Sequence, residues 1–353
     1  MRLERRASVS PAWLLAAPFA AVAFTLLVSS LLVAWAGAPV GRAYAMLLEG
    51  GFGSRLAITE TLTRATPLIL TGLAAAVAFR ARLFNIGAEG QLYAGALAAV
   101  AVGGLHGGSG FEAPAWLLFP LVVAAAMAAG ALLLLGPAML KSRLGVDEVV
   151  TTLLMNFIVL LGVSALLDGA MKDPTAMGWP QSVALQDALQ LDKLVERSRV
   201  HTGLLAALAL AVALWVLLQR TTTGFEIRAV GANPGAAGFA GMPVGWVTVK
   251  VALLSGALAG LAGAIEVAGR TGYVTLDMSP GYGYSGIVIA MLAMLNPLGV
   301  VAAAVFVAGV LVGADSMSRA VNVPTYIADV IVAVSLISML VATMLTQYRV
   351  RRA

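Results

Sequence analysis

Long apolar blocks alternate with short polar breaks along this chain. Ten of the blocks are candidates to cross a bilayer: residues 13–35, 66–79, 83–102, 116–140, 149–167, 202–218, 246–268, 283–295, 298–314 and 326–345. A spanning helix needs about 20 apolar residues. The pattern therefore predicts an all-α fold, a polytopic membrane helical bundle of about ten transmembrane helices in a single domain over residues 1–353. Blocks two and eight are short. The first opens at Pro67, and the second follows a Pro280-Gly281 break. Short, Gly/Pro-interrupted spans at corresponding places in two halves point to a transport pathway. A faint repeat agrees: residues 67–76 resemble 254–263 in position, and each is followed by a polar break and a second apolar stretch. Spans two to five and seven to ten would then be inverted copies. Residues 54–66, which include Arg64, read as an amphipathic outer segment lying before Pro67.

Composition sharpens the membrane reading. Sixty per cent of the 353 residues are hydrophobic and 11% charged, against about 25% charged in a soluble domain. There is no Cys, so no disulfide framework and no thiol-ligated metal is available. His106 and His201 lie far apart at predicted span ends, so no metal is expected. The net charge of +5 would suit nucleic acid, but Lys and Arg cluster at span ends, which is the positive-inside pattern of a chain embedded in lipid. Arg2, Arg5, Arg6, Arg80, Arg82, Lys141, Arg143, Arg220, Arg228, Arg349, Arg351 and Arg352 fall on one side. The outer loops hold Arg42, Arg55, Lys172, Lys193, Arg197, Arg199, Arg270 and Arg319, mostly in the long outer loop 168–200, and long loops weigh little in this rule. Both termini are expected in the cytoplasm. The basic start 1–6 and the apolar run 13–35 resemble a signal peptide, but the run exceeds an h-region of about 7–15 residues and reads as a retained helix.

Candidate chemistry concentrates in four places. In the segment 80–91, Asn85, Glu89 and Gln91 interrupt apolar sequence. A polar or charged group at membrane depth costs roughly 2.5–3.5 kcal/mol on insertion scales unless it faces a cavity or a partner. If the stretch is helical, Asn85, Glu89 and Tyr93 share one face, with Gly87 and Gly90 thinning the backbone. The competing reading is structural: Glu89 caps a helix N-terminus or pairs with Arg80 or Arg82. At the start of the fifth block, Glu148, Thr152 and Asn156 form a polar stripe that either lines a pathway or joins two helices by hydrogen bonds. In 279–286, Tyr282 and Tyr284 among glycines offer rings to a planar ligand, or form an interfacial aromatic belt. Finally, the cytoplasmic loop 219–245 holds two short helix candidates, 224–230 and 235–240, separated by Asn233-Pro234, a helix-start signal. Such a knob suits docking to a soluble partner; the alternative is a plain connector.

No G-x-x-x-x-G-K-[ST], H-E-x-x-H or G-x-S-x-G pattern occurs, so the chain carries no recognisable nucleotide-hydrolysing or hydrolase centre. The segments 84–91, 147–156, 224–237 and 281–287 together resemble the inner-membrane permease subunits of ATP-binding-cassette importers, the large family of ribose, nucleoside and branched-chain amino-acid permeases. The Asn85-Ile-Gly-Ala-Glu-Gly-Gln91 motif is most similar to the nucleoside and simple-sugar branch. The resemblance covers residues 62–345. It implies a non-catalytic permease subunit of a bacterial inner (plasma) membrane importer. ATP and Mg would be bound by a partner cassette ATPase docked on Gly224, Phe225, Arg228, Ala229, Gly231, Asn233 and Pro234. A second homologous permease would complete the channel, and a periplasmic or lipid-anchored substrate-binding protein would deliver solute. The substrate pathway would use Asn85, Glu89, Gln91, Tyr93, Thr152, Asn156, Tyr282 and Tyr284, with no cofactor in the chain. The expected cargo is a nucleoside or simple sugar; other small solutes (a pentose, a branched-chain amino acid) and an ion-coupled mechanism with Glu89 as proton site are the alternatives.

Overall fold

A computed structural model describes residues 2–5, 11–105, 113–322 and single positions or short runs between 330 and 351. His106 and most of the tenth predicted span lie outside the described residues. The helices are α1 (Pro11–Trp35), α2 (Val40–Phe52), α3 (Arg55–Arg80), α4 (Ala88–Gly103), α5 (Ala115–Leu144), α6 (Glu148–Asp168), α7 (Gly203–Arg220), α8 (Thr222–Ala232), α9 (Pro234–Phe239), α10 (Val244–Glu266), α11 (Tyr282–Leu292) and α12 (Pro297–Val321). Two four-residue strands, β1 (Arg2–Arg5) and β2 (Tyr348–Arg351), pair antiparallel, so the two ends of the chain leave the fold together.

Among the described residues, six helices are long and apolar enough to cross a membrane, or seven if the pair Ala23–Trp35 and Val40–Phe52, bent by 118°, is one broken span. Of the ten predicted spans, the third and eighth are short helices, α4 with 16 residues and α11 with 11, the first enters only through the bent pair, and most of the tenth lies outside the described residues. The expectation of an amphipathic segment ending at Pro67 is corrected. The helix α3 runs unbroken from Arg55 to Arg80 with Pro67 and Arg64 inside it. Pro67 removes the N–H that would bond Thr63 O, and the helix continues through it with residues 65–78 all buried, while Thr66 Oγ1 donates back along the helix to Leu62 O at 3.1 Å. Arg270 is likewise not in a loop: it sits in a π-helical turn, Val267–Thr271, that prolongs α10.

The chain divides into two compact units, Leu62–Ala304 and Met1–Thr61 with Val305–Ala353. The second has a small core of Val33, Ala43, Ala314 and Met317. In the first, α10 is the central rod, and 89% of the apolar window of Val244–Thr271 is buried, against 17% for α6 and 28% for α7. Small residues let it sink in. A Cβ on Gly260 would strike Ala126 O, one on Gly256 would strike Gly130 O, and one on Gly263 would strike Leu92 O. The backbones of α4, α5 and α10 are therefore in direct contact, the packing that small residues permit in membranes.

Candidate functional site

Residues 81–87 are not helical, so Asn85 does not share a helix face with Glu89 and Tyr93 as expected. Its side chain instead organises the loop. The Asn85 and Gln91 amides bond reciprocally, each donating to the other at 2.9 Å. Asn85 Oδ1 also accepts from Gly87 N at 3.0 Å, and Nδ2 donates to Ser255 Oγ on α10 at 3.1 Å. Ser255 Oγ donates in turn to Ala74 O on α3 at 2.8 Å. The chain thus enters α4 through a loop tied to α3 and α10.

The stripe on α6 braces the other side of this loop. Asp147 caps the helix, accepting from Val149 N at 2.8 Å. Glu148 Oε1 accepts from Phe84 N at 3.2 Å and pairs with Lys141 at 2.5 Å. Thr152 Oγ1 accepts from Ile86 N at 3.1 Å. Asn156 Oδ1 accepts from Gly90 N at 2.8 Å, while its Nδ2 donates to Ile86 O at 2.9 Å and to the Tyr284 hydroxyl at 3.1 Å. Asn156 satisfies one of the donors that the first turn of α4 leaves open.

The N-termini of α4 and α11 meet at Glu89. This residue lies in the first turn of α4, and its Oε2 accepts from Gly283 N, in the first turn of α11, at 2.6 Å. The approach is so close that a Cβ on Gly283 would overlap the Ala88–Glu89 backbone. One carboxylate faces the positive ends of two half-helices. The chain enters α11 through Gly281 at φ 84°, a left-handed turn suited to glycine. Thr71 Oγ1 donates to Tyr282 O at 2.9 Å, fixing the same turn to α3. Tyr93, one turn along α4, donates to Leu276 O at 2.5 Å and accepts from Ser279 N at 3.3 Å.

All eight predicted pathway residues come together here, and all but one are buried. Tyr284 alone keeps a substantial exposed surface, 37%. Sequence reasoning missed four participants, Ser255, Thr71, Arg270 and Glu266. Glu266 is 0% exposed and pairs with Arg270, whose guanidinium also donates to the Tyr282 hydroxyl at 3.0 Å. The rule that flagged Glu89, a lone carboxylate in an apolar span, applies equally to Glu266.

The two short helices expected in 219–245 form, as α8 and α9. Thr221 Oγ1 accepts from Gly224 N at 3.1 Å to start α8, and Asn233 Oδ1 accepts from Ala236 N at 3.1 Å to start α9, with Pro234 at its first position. Gly224 packs on the end of α7, where a Cβ would strike Leu217 O. Gly231 packs on the end of α3, where a Cβ would strike Arg80 O. Glu226 pairs with Lys250 of α10 at 3.2 Å. Phe225 and Phe239 remain exposed. The long loop 168–200 holds turns and short bridges. Asp173 accepts from the Thr175 hydroxyl at 2.6 Å and from its amide at 2.8 Å, which holds its carboxyl below the usual range. His201, which precedes α7, is buried, and desolvation pushes its pKa down to about 4. No group of three or more His, Asp or Glu arranged for a metal occurs among the described residues.

Residues 57–342 match the family described as the permease component of branched-chain amino acid transport systems. Three curated relatives are similar along nearly their whole length. The guanosine ABC transporter permease protein NupP of Bacillus subtilis is 38% identical, over 90% of either chain. The glucose ABC transporter permease protein TsgB13 of Haloferax volcanii is 38% identical, over 99% of this chain and 93% of its own. The nucleoside ABC transporter permease protein NupB of Lactococcus lactis is 30% identical, over 90% of this chain and 88% of its own.

Proposed function

This chain belongs to the permease-component family of branched-chain amino acid transport systems, and on that premise we propose that it is the membrane subunit of an ATP-driven importer for nucleosides or related simple sugars. The observation that carries the reading is the knob. The helices α8 and α9 are keyed onto the ends of α7 and α3 through Gly224 and Gly231, leaving Phe225 and Phe239 outward for a soluble partner. A cassette ATPase docked there, holding its own ATP and Mg, would push on α3 directly. The chain itself performs no hydrolysis. A second homologous permease shares the pathway, a periplasmic or lipid-anchored binding protein delivers the solute, and both chain ends lie on the cytoplasmic face of the inner membrane.

The pathway reading assigns different parts to the residues at the loop and half-helix junction. Asn85, Gln91, Thr152, Asn156, Glu89 and Tyr93 hold the broken segment in place. Tyr284 presents a ring that can stack on a base or a sugar face. The cargo class is supported by the relatives named for guanosine, nucleosides and glucose. The test is uptake of labelled nucleosides and sugars into vesicles holding the complete complex. ATP-dependent, protonophore-insensitive uptake of a nucleoside is the expected result. Uptake of only ribose or an amino acid would refute the cargo, and uptake driven by a proton gradient without ATP would refute the importer.

A further inference from the structure

The geometry points to Glu266 and Arg270 as positioning residues in a continuous relay that carries the state of the outer loop to the cytoplasmic knob. The inference rests on the importer reading above and names how the two faces of that importer communicate.

The relay begins in the outer loop. Four hydrogen bonds stitch it to the π-helical turn and the strand-like stretch after it: Leu191 N to Ala268 O at 2.8 Å, Leu185 N to Gly272 O at 2.8 Å, Ser182 N to Val274 O at 3.0 Å and Val274 N to Ser182 Oγ at 2.8 Å. The His201 ring lies against Gly269 so closely that a Cβ there would overlap it. A load on this loop therefore falls on residues 267–274. Arg270 projects from that turn. It is held by Glu266 and donates to the Tyr282 hydroxyl at 3.0 Å. Tyr282 is the first residue of α11. Shifting the turn shifts the start of that helix.

Just past the far end of α11, Met294 and Leu295 are both left-handed at φ 50° and 58°. Neither is a residue that adopts this conformation readily. The strained turn delivers Leu295 O to Arg80, whose Nη2 donates to it at 2.8 Å. Arg80 is the last residue of α3, and its own carbonyl is the one against Gly231 of α8. The sequence of contacts is thus outer loop, π turn, Arg270–Tyr282, α11, Leu295–Arg80, Gly231. A short rigid helix connects two polar clasps.

Two features make the upper clasp suited to switching. π turns concentrate at functional positions because they store a register change. And Glu266 Oε2 is buried with no hydrogen-bond partner among the described residues. Native structures rarely leave such an oxygen unpaired, so ordered water or a shifted side chain would supply its donor, and Arg64 of α3 already stands within electrostatic reach of the carboxylate. Packed elements respond to such changes by jumping between arrangements and not by bending smoothly.

The experiment uses the assembled complex in lipid nanodiscs, with ATP hydrolysis measured with and without solute-loaded binding protein. The wild-type complex sets the reference: no stimulation there would overturn the importer reading and this inference with it. Arg270→Met removes the donor to Tyr282. The pair Glu266→Gln with Arg270→Gln neutralises both partners of the clasp together, and decides the matter if the single variant does not assemble. Basal hydrolysis should stay near the wild-type rate while stimulation falls by about fivefold or more. Adding Arg80→Met should then cost no further stimulation, because both changes cut the same line. Normal stimulation in the variants, or losses that multiply with Arg80→Met, would overturn the relay while leaving the importer standing.

Discussion

Replacing Glu89 separates two roles that a buried carboxylate in a transporter can have. Its Oε2 accepts from Gly283 N at 2.6 Å, and it stands in the first turn of α4. Glu89→Gln keeps an acceptor oxygen at the same reach. It exchanges a charge-assisted hydrogen bond of about 1.5–3 kcal/mol for a neutral one of about 0.5–1.5 kcal/mol. It also gives up the attraction of the charge to two helix ends, about 0.3–1 kcal/mol each. Against this, the folded state no longer has to desolvate a carboxylate, a cost of several kcal/mol for a lone ion. The terms oppose, and the net change should stay within about 1–2 kcal/mol, or about thirtyfold at most in any equilibrium the residue biases. Glu89→Ala is different. It leaves the Gly283 N–H buried without a partner, at about 1–3 kcal/mol, and opens a void where α4 meets α11. The expected order in ATP-driven uptake is wild type, then Glu89→Gln with a modest loss, then Glu89→Ala with a severe one. Thermal unfolding of the purified complex should follow the same order. A Glu89→Gln protein that is folded and ATPase-bound, yet as dead as Glu89→Ala, would refute this account and revive proton coupling.

Gly231→Leu should abolish uptake and stimulated ATP hydrolysis with normal membrane expression, because any side chain there collides with Arg80 O; coupled transport at the normal rate would contradict the keyed knob. Tyr284→Ala should cut nucleoside uptake several-fold, whereas Tyr284→Phe, which loses only the hydroxyl that accepts from Asn156, should transport nearly normally; equal defects would show that the ring is not what matters. The last prediction concerns pH. The His201 pKa lies at about 4 in the fold and near 6.5 once unfolded, so the unfolded chain binds the extra proton first. Stability contributed here is complete above about pH 6.5 and is lost as pH falls toward 4. Hydrogen exchange at residues 182–201 should accelerate over that window, and His201→Phe should flatten the dependence.

Much of this architecture was legible in the sequence. The limits of α5, α6, α7 and α10 follow their apolar blocks within a few residues, and Asn233-Pro234 marked the α8–α9 junction because cap and proline act locally. Residues 83–87 were misread as helix because Leu83, Phe84 and Ile86 are apolar. Asn85 decides otherwise by bonding its own loop, and such local side-chain bonds compete with the helix ladder. The helix α3 was cut short on paper at Pro67, because a proline normally ends a helix, whereas here the helix continues through it with residues 65–78 all buried. The amphipathic helix α2 was overlooked between two stronger signals. At the site, the clustering of Asn85, Glu89, Thr152, Asn156 and Tyr284 was foreseeable as polarity in an apolar setting. Which of them brace and which face outward was not, since that depends on how α4, α6 and α11 meet.

The seam of α4, α5 and α10 bears on how this gene tolerates random change. Gly95, Gly130, Gly256, Gly260 and Gly263 each lie where a Cβ would strike a neighbouring backbone. Every single-base change that replaces a glycine codon with another amino acid adds that carbon. There is no mild substitution at these five positions, in contrast to a leucine, which one base can turn into isoleucine or methionine. A saturation library selected for uptake should therefore be most depleted along a line of residues that carry no functional group at all. The scan would trace the helix seam before it found the amides, the tyrosines or the knob.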